Sequence, residues 1–219
     1  MTEYQTTEQA SETMRQTASE SRRLAGIAFI ALSAQFMTVI MLAAAMAPNY
    51  DFNAGAISDL GVFSETALLF NASLVVVGVL NLAGGYVLYR GHGKRWLLGV
   101  FAVAGLGAVG TGLFPLDAGD LHSLFALLAF VFFNVEALAV ATQVDGVMRA
   151  LSALAGLLGL AFVVVMVIGD SGTTAAFGPI GHGGAERMIV YPAMLWLVAY
   201  GGYLLGASDT PAQTVAPTE

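Results

Sequence analysis

The sequence has no cysteine, one lysine (Lys94), three histidines (His92, His122 and His182), and few charges of either sign, 11% of its 219 residues. Without cysteine there is no disulfide, no thiol nucleophile, no thiolate zinc site and no iron–sulfur cluster. Any metal has to be held by imidazole and carboxylate. Eight Lys+Arg against fifteen Asp+Glu leave a net charge of −7, which repels phosphate backbones and argues against nucleic acid as a partner. A soluble domain carries roughly 25% charged residues, so this chain lacks the polar surface to coat a water-facing globule.

What is present is apolar. Hydrophobic residues make up 57% of the chain and mean hydropathy is +0.76. They come in blocks of about 18 to 25, each long enough to cross ~30 Å of hydrocarbon as a helix. The blocks predict an all-α polytopic membrane protein, a bundle of six spans at 24–47, 66–89, 96–114, 121–141, 150–168 and 188–205. Together they form one transmembrane domain over residues 24–206. The flanking segments 1–23 and 207–219 are polar, and both are predicted to be disordered tails because they cannot bury enough apolar area to offset ordering entropy. Ser21-Arg22-Arg23 before the first block imitates a signal peptide. The apolar run is about 23 residues against 7 to 15 for a signal core, so it is read as a span.

The cations orient the bundle. Arg15, Arg22 and Arg23 precede span one, Arg90, Lys94 and Arg95 lie between spans two and three, and Arg149 lies between four and five. Only Arg187 falls on the other side. The positive-inside rule therefore predicts a multi-pass protein of the cell membrane with both termini in the cytoplasm.

The opposite, outward face collects Asp51, Asp59, Glu65, Asp117, Asp120, Asp170 and Glu186 together with His122 and His182. It is expected to form a pocket of Ser58, Asp59, Asp117, His122, His182, Glu186 and Arg187. Asp120 reads as the N-cap of span four. Asp117 is either solvated or turned through Gly119 toward His122. His122, in the first turn of that span, is expected to stay neutral beside the positive helix end, as a hydrogen-bond partner or a ligand. No cofactor is assigned. A zinc-like metal held by His122, His182 and Asp117 is the weaker reading, because these ligands are scattered and lack a local spacing signature. Arg187 is expected to pair with Asp59 or Asp117, or alternatively to clamp a lipid phosphate. Ser58-Asp59 reads as a turn held by local hydrogen bonds rather than as a nucleophile pair.

Inside the membrane the notable residue is Glu136, an ionisable group in span four, about 22 Å past Leu121. There it is expected to reach water or pair with Arg149. Asn71, Asn81 and Asn134 are expected to hydrogen-bond between helices. Gly105-Leu106-Gly107-Ala108-Val109-Gly110 has the form of a dinucleotide-binding loop but lies inside an apolar span and follows no strand. Its small residues instead allow close helix approach, within the bundle or toward a homo-oligomer or membrane-protein partner.

Three motifs resemble a known family. They are Ile57-Ser58-Asp59-Leu60-Gly61 with Leu69-Phe70-Asn71, Gly112-Leu113-Phe114-Pro115-Leu116-Asp117 with His122, and Gly184-Ala185-Glu186-Arg187 with Tyr191-Pro192. Over about residues 24 to 206 the chain resembles domain-of-unknown-function family 998, and more distantly it is similar to the FRAG/DRAM/SFK six-span proteins. The resemblance implies six helices in a prokaryotic, often archaeal, membrane protein without an assigned activity.

Three functions follow as expectations. The first is binding of a lipid headgroup or a partner in the outward pocket. The second is a metal-assisted lipid hydrolase, with Asp117 and His122 as ligands, Glu186 as base and Arg187 as phosphate clamp. The third is a small transporter with Glu136 as its proton carrier.

Overall fold

A computed structural model describes residues 3–208, without the side chains of residues 3–6 and 8. Six long helices carry the fold: α1 Glu3–Met46, α2 Ala67–His92, α3 Arg95–Leu113, α4 Asp120–Ala141, α5 Gly146–Asp170 and α6 Gly181–Ser208. There is no strand among the described residues. All six helices are long and apolar enough to cross a membrane, as the hydropathy blocks predict. Each packs on its neighbours in sequence, and α6 closes the ring against α1.

Small residues set the closeness of the packing. With no hydrophobic drive between helices in lipid, association relies on van der Waals fit and interhelical hydrogen bonds. A Cβ at Gly78 of α2 would collide with the Gly105 carbonyl of α3. A Cβ at Gly26 of α1 would lie 2.7 Å from the Gly201 carbonyl of α6. The glycines of the α3 motif are therefore used inside the chain, Gly107 against Ala129 and Gly110 against the Phe125 ring.

Two helix starts differ most from the hydropathy reading. The helix α1 begins at Glu3, so residues 3–23 are helical where a disordered tail is expected. This stretch has no glycine or proline, and its last turns pack on the end of α6. Ser19 Oγ donates to the Ser208 carbonyl at 3.0 Å and Arg22 to the Ala207 carbonyl at 3.4 Å. Both chain ends thus lie at one end of the bundle. Residues 1–2 and 209–219 of the expected tails lie outside the described residues.

The second difference is at α6, which starts seven residues before the expected span. Glu186 and Arg187 stand in its first turns rather than in a loop. Three glycines and two charges lower the hydropathy of this stretch. Tertiary contact holds it instead: Gly183 N–H donates to the Asn53 carbonyl at 2.9 Å, and a Cβ on Gly183 would strike the Gly55 carbonyl.

Candidate functional site

The connections 47–66, 114–119 and 171–180 gather at the end opposite the chain termini. A 3-10 turn at Ser58–Gly61 plugs this end, its Leu60 and Gly61 buried. Asp59 Oδ2 accepts from the Ala56 N–H at 2.9 Å, the local hydrogen bond expected of this turn. Glu186, 3% exposed, reaches across from α6, and its Oε2 accepts from the Ile57 N–H at 2.5 Å at the start of the turn. The Ser58 N–H also faces this carboxylate. A carboxylate there satisfies amide groups that have no partner within the turn.

Arg187 is spent on the same loop. Its Nη1 donates to the carbonyls of Phe52 (3.0 Å), Gly55 (3.1 Å) and Gly183 (2.7 Å), and Nη2 donates to the Tyr50 hydroxyl at 2.6 Å. The guanidinium also lies over the Phe52 ring at 4.9 Å and the Tyr50 ring at 5.6 Å, a cation–π pairing. Tyr50 hands the network on, donating to the Ala56 carbonyl at 2.7 Å. Burial pushes the Tyr50 phenol above its usual range, with Arg187 opposing the shift. The expected ion pair of Arg187 with Asp59 or Asp117 does not form. Among the described residues the salt bridges are Arg149–Asp145 (2.5 Å) and His182–Asp170 (3.2 Å). Backbone carbonyls and aromatic faces take the place of the carboxylate. Tyr50 and Phe52 went unnoticed in the sequence, where nothing links them to an arginine more than 130 positions away.

His122 sits in the first turn of α4, 5% exposed, and its Nδ1 lies 2.8 Å from the Phe114 carbonyl. A carbonyl only accepts, so Nδ1 carries the proton, and in the neutral ring Nε2 then presents a lone pair. Among the described residues neither Nε2 nor Ser58 Oγ has a protein hydrogen bond. Both residues line a cavity of about 60 Å³ whose other walls are almost wholly apolar, including Phe36, Phe70, Leu74, Phe130, Phe133 and Met194. Thr111, Asn134 and Glu186 complete its polar lining.

Other expected members stand apart. Asp117 is exposed in a 3-10 turn at Leu116–Ala118, away from the His122 ring that binds Phe114. Asp120 is the first residue of α4, preceded by Gly119, and makes no capping bond there. His182 pairs with Asp170 and meets Phe177 edge-on at 5.1 Å, outside the cavity of His122. The structure does not bring His122, His182 and Asp117 together. Among the described residues no three His, Asp or Glu side chains converge as a metal site would need.

Deeper in the bundle, Glu136 is 0% exposed and its Oε1 accepts from Asn81 Nδ2 at 2.6 Å. The expected contacts with water or Arg149 are both replaced, since Arg149 is held by Asp145 and the Val144 carbonyl. Asn81 Nδ2 also donates to the Phe101 carbonyl of α3 at 3.0 Å, and Asn134 to the Ile189 carbonyl of α6 at 3.2 Å. These two asparagines join helices as expected, whereas Asn71 binds the Gly61 carbonyl of the plug at 2.8 Å.

A family model described as "Protein of unknown function (DUF998)" matches residues 25–203. The chain belongs to this family. The DUF998 match takes in the plug, the cavity and the Asn81–Glu136 pair, and it leaves out the polar first turns of α1. No curated protein and no solved structure matches the chain.

Proposed function

We propose that this DUF998 protein binds the apolar tail of a lipid-like amphiphile in the cavity beside the plug, with its polar head at Ser58 and His122. The observation that carries the reading is the contrast within one cavity. Its walls are apolar, yet at the polar rim Ser58 Oγ and the His122 Nε2 lone pair have no protein partner among the described residues. Apolar pockets with a few convergent polar groups are the common form of small-molecule sites. Glu186 and Arg187 serve as the frame, because their bonds to the plug are what hold Ser58 in place. The cation distribution supports an outward position for this end, with both termini cytoplasmic. The more distant likeness to FRAG/DRAM/SFK proteins, some of them linked to lipid-anchor remodelling, fits a lipid ligand.

The test uses delipidated protein and a monoacylglycerol as probe. Binding to the folded state raises the unfolding temperature by mass action. The probe is expected to raise it in wild type and to leave Ala126→Phe unmoved, because the added ring fills the cavity. Equal shifts in the two proteins would overturn the reading.

A further inference from the structure

A second cavity, about 190 Å³, enters from the end that carries the chain termini. Arg22, His92 and Lys94 stand at its mouth, and it reaches inward to Gly85, Leu97 and Tyr200. The first cavity reaches from the plug end to Val77, Phe133 and Met194. On α2 the two floors, Val77 and Gly85, are about 12 Å apart at about 1.5 Å per residue. Asn81 lies midway between them. Glu136 of α4 and Leu197 of α6 belong to the same layer, and Asn81, Glu136 and Leu197 are each 0% exposed. One layer of side chains therefore separates two cavities, one beneath the plug and one at the opposite end of the bundle, and its polar members are Asn81 and Glu136.

The pair is one proton short. Glu136 Oε2 and Asn81 Oδ1 are both buried without a hydrogen-bond partner. An ionised carboxylate and an amide oxygen only accept, so neither can satisfy the other. A proton on Oε2 supplies the missing donor while Oε1 keeps its bond from Asn81 Nδ2. Among the described residues no Lys, Arg or His interacts with this carboxyl from any helix packed around it, and the other titratable group in reach is Tyr200 of α6. Nothing among the described residues neutralises the charge if the proton leaves. Loss of the proton therefore favours entry of another, or of water, from one cavity or the other.

We infer that the Asn81–Glu136 pair is a proton-binding site set in the septum between two opposed cavities, exchanging its proton with water through them in the manner of a proton-coupled carrier. The step is a simple transfer: Glu136 Oε2 takes a proton from a hydronium ion that reaches the septum from one side, leaving water, and returns it to a water on the other side, leaving hydronium. Its readout is separate from amphiphile binding, since neither residue lines either cavity.

Infrared spectroscopy of the full chain reconstituted in lipid tests it. The wild type is expected to show a protonated-carboxyl carbonyl band that is lost in Glu136→Gln. The same band is expected to shift within minutes of transfer to deuterium oxide. Glutamine keeps one acceptor and one donor, so that variant should fold. A spectrum unchanged by Glu136→Gln would overturn the inference, as would a band that resists deuterium exchange, because such a proton would be locked in a structural bond. Helical circular dichroism of the variant, expected to match wild type, separates loss of the band from loss of the fold.

Discussion

Glu186 and Glu136 are equally withdrawn from solvent, 3% and 0% exposed, yet their surroundings differ in kind. Glu186 faces the backbone N–H groups of Ile57 and Ser58, and the Arg187 charge is next to it in sequence. Glu136 has one amide donor, an orphaned oxygen and no cation in reach. Burial alone does not mark a working carboxyl; the balance of donors and acceptors does. The first glutamate has its acceptors used by backbone amides and ties α6 to the plug. The second is left beside Asn81 with two buried acceptor oxygens that no protein donor among the described residues satisfies.

The largest expected effect is at the plug. Arg187→Ala removes the donor to the Phe52, Gly55 and Gly183 carbonyls, the last of them buried, and to the Tyr50 hydroxyl. Leaving such groups unpaired is expected to cost about 3–5 kcal/mol, read from chemical unfolding in detergent. A loss below about 1 kcal/mol would show that the guanidinium is not the frame of that end. In the septum, Gly78→Ala forces α2 away from the Gly105 carbonyl of α3 and is expected to cost about 1–3 kcal/mol. Because Asn81 also bonds the Phe101 carbonyl of α3, the same variant should shift the Glu136 carboxyl band, whereas Arg187→Ala should not. A band moved equally by both would erase the distinction between the two regions.

The smallest effect concerns Tyr50 and pH. Burial raises its pKa above the ordinary value of 10.0, so the fold favours the neutral phenol. That contribution is fully present below about pH 10 and lost as pH rises through the raised value. The wild-type unfolding temperature should therefore fall more steeply above about pH 10 than that of Tyr50→Phe. At pH 8 the variant should be about 1 kcal/mol less stable for want of its hydroxyl bonds. Parallel curves would remove Tyr50 from the network.

Most of the scaffold was legible in the sequence, because membrane spans are written as contiguous apolar runs and need no tertiary information. The starts of α2, α3 and α4 each fall within a residue of the expected spans. The start of α6 was hidden because its first turns, Gly181 to Arg187, are made helical by the plug and not by their own hydropathy. The expectation for residues 3–23 weighed apolar area and overlooked the lack of helix breakers in that stretch. At the site, His122 could be placed from its position in the first turn of α4, and Glu136 from its charge. Their partners could not be placed, because Phe114 acts through its carbonyl and Asn81 meets Glu136 only in the folded bundle. The choice of Asp59 or Asp117 for Arg187 failed for a related reason: charge matching suggests carboxylates, and here backbone carbonyls were nearer.

The contrast between the two glutamates is tested most directly by thermal unfolding of Glu186→Gln and Glu136→Gln, full chains side by side in one detergent at neutral pH. Glu186→Gln gives up one of the two acceptor oxygens that face the plug amides and should lose about 0.5–1.5 kcal/mol. Glu136→Gln keeps the acceptor for Asn81 Nδ2, gains a fixed donor, and should stay within about 0.5 kcal/mol of wild type. Equal losses, or a larger loss at Glu136, would contradict the assignment of an anchor to one position and a proton-binding site to the other.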